Sequence, residues 1–277
     1  MVRNTMPQKL LIFIVVLLNT APLFAQFDFP PMSGASAAMG GASVALSDNG
    51  TALYNVAGLA RMERAEVSLA VRQGFLEEGL GYASVGGAVP TSFGSWAASV
   101  VHYGNSDYNE QQVSMAYAMP IGEFFSLGAA FHYLHSGTSD PYYDQLHRFT
   151  FSLAMQYFPS DELTVGFKAY NPVAVVAENA ESVPVQALFN LGVAYRILDE
   201  LLAVAEVEKN LYYQSTLRFA LQYQFNDAYA LRVGLNTKPV IYTFGAGVQF
   251  DHLGADFSVQ IHNVLGMTPL LSAHYSF

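Results

Sequence analysis

Segments of about ten residues with alternating polarity, joined in pairs by tight turns, recur some seven times along the chain. That length crosses a bilayer as a tilted β-strand and is too short for a transmembrane helix. In the stretch Leu146–Phe158, His147, Phe149, Phe151, Leu153, Met155 and Tyr157 share one face. Arg148, Thr150, Ser152, Ala154 and Gln156 share the other, as the two-residue period of a strand dictates. Apolar-out and polar-in over many hairpins, ending on the aromatic Phe277, predicts an all-β transmembrane antiparallel barrel rather than a soluble sandwich. Such a barrel pairs every backbone group across strands, which lipid demands.

The N-terminus reads as an export leader. Arg3 and Lys9 are basic, Leu10–Leu18 is apolar, and Leu23-Phe24-Ala25 offers a cleavage site before Gln26. The chain then divides into a cleaved signal peptide over 1–25, an interior segment over 26–62 and a barrel over 63–277. The chain has 0 Cys, which excludes a lipoprotein anchor and a disulfide framework. A net charge of −10 makes nucleic acid a poor partner, because phosphate contact needs clustered Lys and Arg. Only 12% of residues are charged, about half the share in soluble domains. The expected place is therefore the outer membrane of a Gram-negative cell, with lipid as the first partner.

About fourteen strands are predicted, over 64–73, 79–89, 94–103, 110–119, 124–134, 145–157, 162–170, 184–196, 200–208, 214–225, 228–236, 240–250, 253–262 and 269–277. In the second, Leu80 and Tyr82 fall in one phase and Val85 and Val89 in the other, so a bulge near Ser84 is expected. Joints after even strands are short, such as Pro90-Thr91-Ser92, Leu198-Asp199 and Asn226-Asp227. Joints after odd strands, such as Ser136–Asp144, Asn171–Val183 and Asn263–Thr268, are mostly longer. Short turns inside and long loops outside put both termini in the periplasm. Trp96, Phe124, Phe125, Tyr157, Phe158, Tyr195, Phe225, Tyr229, Phe250 and Phe277 gather near the short turns, as a girdle at the headgroup level does.

Between leader and barrel lies Ser33–Ala60, rich in small residues. Gly40-Gly41 permits conformations that other residues avoid. Ser47, Asp48 or Asn49 is placed to cap a short helix around Thr51–Asn55. A segment of this size fits as a plug in the barrel's periplasmic mouth.

Met39-Gly40-Gly41-Ala42, Ala45-Leu46-Ser47-Asp48 and Leu53-Tyr54-Asn55-Val56-Ala57-Gly58-Leu59 together resemble the N-terminal hatch shared by FadL-type transporters and the PorV/PorQ family of Bacteroidetes. That hatch ends in an Asn-Pro-Ala-Gly-Leu signature, and Val56 stands where its Pro belongs. The stretch Leu202–Asn210 also resembles a strand that recurs in PorV/PorQ-like proteins. The resemblance implies a plugged barrel in which Met39, Gly40, Gly41, Asp48, Asn55, Gly58 and Leu59 belong to the hatch.

Arg148, Lys168, Glu206, Glu208, Arg218, Arg232, Asp256 and Gln260 fall in lumen phase on strands six to thirteen. Unpaired, each charge in a narrow interior would be costly, so a lumen polar network is expected, mutual or with the plug. Catalysis finds little support. His132 and His135 lie three apart on a strand and point to opposite faces, and His147 has no partner that the sequence places beside it. No cofactor or metal is implied.

The PorV/PorQ resemblance implies an accessory for protein export of the type IX kind, whose partners are exported proteins or other secretion components. The FadL resemblance implies instead passive transport of a hydrophobic small molecule, which leaves sideways through the wall. FadL-type capture uses long greasy loops, whereas Asn171–Val183 offers only Val173–Ala177, and this favours the export reading. A structural barrel without a ligand is the third alternative.

Overall fold

The computed structural model describes residues 27, 29–47, 54–175, 185–211 and 213–277. Among them fourteen strands form one closed antiparallel barrel, each strand paired with its neighbours in sequence and β1 closing on β14. They are β1 (Glu66–Gln73), β2 (Gly81–Thr91), β3 (Gly94–Gly104), β4 (Tyr108–Ile121), β5 (Phe125–Thr138), β6 (Leu146–Ser160) and β7 (Leu163–Tyr170). β8 (Leu188–Leu198), β9 (Leu201–Asn210), β10 (Thr216–Asn226), β11 (Tyr229–Thr237), β12 (Val240–Phe250), β13 (Leu253–His262) and β14 (Gly266–Ser276) complete the wall.

Alternation of polarity becomes alternation of environment. On β6, Thr150, Ser152, Ala154 and Gln156 are all at most 5% exposed, while Phe149 is 65% and Leu153 48% exposed. Closure leaves no unpaired edge and turns the apolar face outward on every side. The connections after even strands are two or three residues long throughout. Nine of the ten girdle aromatics are exposed on the outer face, from Trp96 round to Phe277.

Three expectations are corrected. The register of β2 runs unbroken from Tyr82↔Tyr103 to Thr91↔Gly94, so no bulge falls near Ser84. Tyr82 instead turns inward and packs on Tyr103, with ring centroids 4.4 Å apart. The β13–β14 joint is short, because β14 begins at Gly266 rather than at Pro269. Phe158 leaves the girdle for the Arg61 guanidinium, which lies 3.8 Å from its ring centroid.

Inside the barrel, helix α1 (Gly34–Ala38) is buried along its whole length. Ser33 caps it by accepting from the Ser36 amide. A 3-10 turn over Val56–Arg61 follows; the helix expected around Thr51–Asn55 falls mostly on residues outside the described set. Ala57 and Leu59 pack on Ala88, Ala97, Ala116 and Ala130 of the wall. Met39, Ala42 and Leu46 pack on Ala194, Val204 and Ala220. The lumen wall is small-residued here because backbone of the inner segment must fit against it. At Gly166 a Cβ would overlap the Val44 carbonyl.

Among the described residues β1 and β7 are the shortest strands of the wall, at 8 residues each. β6 has 15 residues and β7 only 8, and their ladder ends at Ser152↔Tyr170. Beyond it, the Asn171 amide donates to the Phe151 carbonyl at 2.9 Å. The Thr150 hydroxyl donates to Asn171 Oδ1 at 2.9 Å, and Asn171 Nδ2 donates to the Val185 carbonyl at 2.8 Å. Asn171 thus continues the cross-links beyond the β6–β7 ladder.

Candidate functional site

Strands β8 to β10 place Asn190, Glu206, Glu208 and Arg218 on adjacent inward positions, since Asn190↔Glu208 and Glu206↔Arg218 are cross-strand partners. The Glu206 carboxylate accepts from the Ser43 and Val44 amides at 2.9 and 3.0 Å. Asn190 Nδ2 donates to it at 2.7 Å and Arg218 at 2.9 Å. Arg218 also reaches Glu208 at 2.9 Å and the Gly41 carbonyl at 3.3 Å. A buried carboxylate is stable when its lone pairs are filled in this way, and half of its donors belong to the inner segment. Lys168 donates from Nζ to the Tyr54 carbonyl at 2.9 Å and stands 3.5 Å from the Tyr54 ring centroid. Burial, aided by Glu208 and Glu206 and opposed by Arg218, pushes the Tyr54 phenol up from its ordinary value, so it remains an O–H.

Neutral side chains fasten the rest. Gln156 Nε2 donates to the Leu46 carbonyl at 2.9 Å, and its Oε1 accepts from Ser47 Oγ at 2.8 Å. Thr243 Oγ1 donates to the Ala38 carbonyl at 2.6 Å. Ser272 Oγ accepts from the Gly34 amide at 2.8 Å. Asn55 Nδ2 donates to the Val44 carbonyl, tying the two halves of the segment together.

Of the residues singled out from sequence, Met39 and Leu59 are fully buried, and Gly58 packs on the Leu46 carbonyl. Gly40 and Gly41 take φ values of +66° and +80°, the left-handed region that a Cβ disfavours. Asp48 lies outside the described residues. Arg232 pairs with Asp256 at 2.6 Å, away from the Glu206 cluster. Gln260 accepts from Arg72 at 2.9 Å. Arg148 is not gathered with the others; it is half-buried on β6 and donates to the His147 carbonyl at 3.0 Å. Gln156 was placed in lumen phase without a role, and Asn190, Thr243 and Ser272 were missed because the sequence reading mainly followed charge. Lumen phase alone would have found them.

Above the 3-10 turn the lumen is not filled. A cavity of about 100 Å³ lies between Phe27, Phe29, Pro30 and Met32 and the wall of β1 to β8. Phe27, Phe29, Met32, Val101, Tyr170 and Leu188 give it apolar sides, and Ser68, Ser84, Ser99, Ser114 and Ser152 line it with hydroxyls. The Phe27 amide donates to Glu110 at 2.8 Å and its ring packs on Leu134, Tyr170 and Val185, which holds the segment toward the long-loop end. His132 faces this cavity, while His135 faces outward, 5.0 Å from the His147 ring. A second, polar cavity of about 380 Å³ opens beside α1 near the β10–β11 turn, lined by Gln222, Gln224, Arg232, Gln249, Asp256 and His274.

Solved structures share this fold. A FadL homologue from Pseudomonas aeruginosa aligns with a TM-score of 0.66 at 13% identity, covering 90% of this chain and 99% of that one. The toluene transporter TodX from P. putida aligns with a TM-score of 0.71 at 11% identity, again covering 90% and 99%. The outer membrane protein Omp33 from Acinetobacter baumannii reaches 0.52 at 9% identity, covering 77% and 98%. No family model and no curated protein matches the chain. The fold is thus that of FadL-like outer-membrane barrels, and the PorV/PorQ assignment gains no support.

Proposed function

We propose that the chain is a passive barrel of the outer membrane that admits small hydrophobic molecules past an interior plug. The observation that carries this reading is the partly apolar cavity on the long-loop side of the buried α1 and the Val56–Arg61 turn, distinct from the polar cavity beside α1. A merely structural barrel has no reason to leave that space beneath its long loops, because unfilled interior forfeits packing. The short strand β7, beyond whose ladder with β6 Asn171 continues the cross-links, gives a ligand a sideways exit into lipid. TodX, named a toluene transporter, has the same fold, which favours passage of small molecules over protein export. The leader over 1–25, the periplasmic termini and the role of 26–62 as a hatch belong to the same proposal.

Lipopolysaccharide slows apolar solutes, so whole cells are the informative system. Cells making the protein should accumulate at least one of radiolabelled phenol, toluene and hexanoate faster than cells carrying an empty vector. Equal rates, with the protein folded in the outer membrane, would overturn the transport reading. Export defects on deletion, with uptake unchanged, would restore the accessory reading.

A further inference from the structure

The hydroxyl-lined cavity carries a directed chain of hydrogen bonds. Gln112 Nε2 donates to Ser114 Oγ at 3.2 Å. Ser114 Oγ lies 2.8 Å from His132 Nδ1, and His132 Nε2 lies 3.0 Å from Ser152 Oγ. The Gln112 amide orientation is supported at its other end, where the Tyr170 hydroxyl donates to Gln112 Oε1 at 3.4 Å. Two hydroxyls and one neutral imidazole share two links, so one hydroxyl proton is left over; with Ser114 receiving Gln112 and giving its own proton to Nδ1, the imidazole is the Nε2–H tautomer. Nε2–H then donates to Ser152 Oγ. The Ser152 proton has no place in that chain, and Ser152 lines the cavity. Hydrogen bonds aligned head to tail polarise one another, which sharpens the last donor.

Around this donor the walls suit a ring. Tyr170 and His132 lie 5.2 Å apart at 49°, and Phe27, Phe29 and Val101 close the apolar sides. The volume of about 100 Å³ is of the order of an engineered cavity of about 150 Å³ that holds benzene. Lys168, a cation among the lining residues, donates to the Tyr54 carbonyl and rests on the Tyr54 ring, which directs its ammonium toward the inner segment.

From this geometry we propose that the cavity selects uncharged, ring-sized molecules bearing one acceptor oxygen, held by the Ser152 hydroxyl at the end of the Gln112–Ser114–His132 chain. The proposal rests on the transport reading and narrows it, away from bare hydrocarbons and from fatty-acid anions. A site built around a buried donor rejects an analogue without the acceptor, because the donor is then left unmet.

The test uses the mature protein in lipid nanodiscs, titrated calorimetrically with phenol, toluene and benzoate after subtraction of protein-free nanodiscs. Phenol should bind about tenfold tighter than toluene and tighter than benzoate. Ser152→Ala should bring phenol down to the level of toluene while leaving toluene unchanged, which also reports that the variant is folded. Toluene or benzoate binding as tightly as phenol in the unaltered protein overturns the proposal while leaving the transport reading standing. Phenol affinity undiminished in Ser152→Ala overturns it as well. Binding of none of the three overturns both.

Discussion

The Arg218 guanidinium lies 2.9 Å from the Glu206 carboxylate in the barrel interior. The two are direct cross-strand partners on β9 and β10, and, beyond their wall partners Asn190 and Glu208, both reach the inner segment. Glu206 takes the Ser43 and Val44 amides, and Arg218 takes the Gly41 carbonyl. A charge pair that would be expensive in a bare lumen is therefore made stable by the plug, and the plug is held by the pair.

Removing the carboxylate should loosen that attachment. Glu206→Ala leaves the Ser43 and Val44 amides without their acceptor and Arg218 with Glu208 as its remaining carboxylate. Breaking such a buried pair costs about 3–5 kcal/mol, while the strand ladder is untouched. Limited proteolysis of the refolded protein should cut the Ser33–Ala60 segment much faster than in the unaltered chain, with the barrel core still resistant. Unchanged cleavage would mean that Glu206 is not what anchors the segment.

Plug and wall should also be coupled sterically. The β7 position Gly166 has no room for a Cβ beneath the Val44 carbonyl, so Gly166→Val should destabilise the barrel by about 1–3 kcal/mol. In a chain lacking Ser33–Ala60 the same substitution should cost little, since nothing then lies over it. Urea midpoints of the four proteins in lipid vesicles form the cycle that measures this coupling. Equal losses in both backgrounds would place the cost in the strand itself. Planar-bilayer conductance of the deletion should rise as well.

Strand number, phase and the short-turn end were legible in the sequence because a strand's two-residue period is local and leaves its mark along β6 up to Tyr157. The bulge at Ser84 was misjudged because Tyr82 looked like a lipid-facing aromatic. It turns inward to Tyr103, a contact between strands that periodicity does not record. Lys168, Glu206, Glu208 and Arg218 were found through lumen phase and charge, but their role was not. The partners they meet, the Ser43 and Val44 amides and the Gly41 and Tyr54 carbonyls, are backbone groups of the inner segment, which no side-chain pattern reveals. The Ser114–His132–Ser152 chain spans β4 to β6 and needs the register to be seen.

Topology can be checked from outside the cell. Tyr142, in the β5–β6 connection, is 93% exposed, whereas Asp199 lies in the two-residue turn between β8 and β9. An epitope inserted after Tyr142 should be labelled by antibody on intact cells, and one inserted after Asp199 only after permeabilisation. The reverse result would place the short turns at the surface and the termini outside.

The lipid-facing phase underlies all of these expectations, and β6 offers its sharpest test. Leu153 faces outward at 48% exposure, and its neighbour Ser152 faces the lumen at 1%. The two sit at nearly the same depth, so a substitution at each differs mainly in the face it enters. An Arg near the bilayer midplane costs about 2–4 kcal/mol on the lipid face. Ser152→Arg would instead crowd the cavity beside His132 and the inner segment, and this confounds the comparison in the full chain. Both substitutions are therefore best made in the Ser33–Ala60 deletion, where the lumen has room and water. There Leu153→Arg should lower folding stability in lipid vesicles by about 2 kcal/mol more than Ser152→Arg. Because an Arg in a wet lumen keeps its hydration while one in hydrocarbon does not, the difference should shrink in short-chain detergent, which thins the apolar belt. Equal losses in vesicles, or a larger loss at Ser152, would mean that β6 does not stand in a membrane wall in this register.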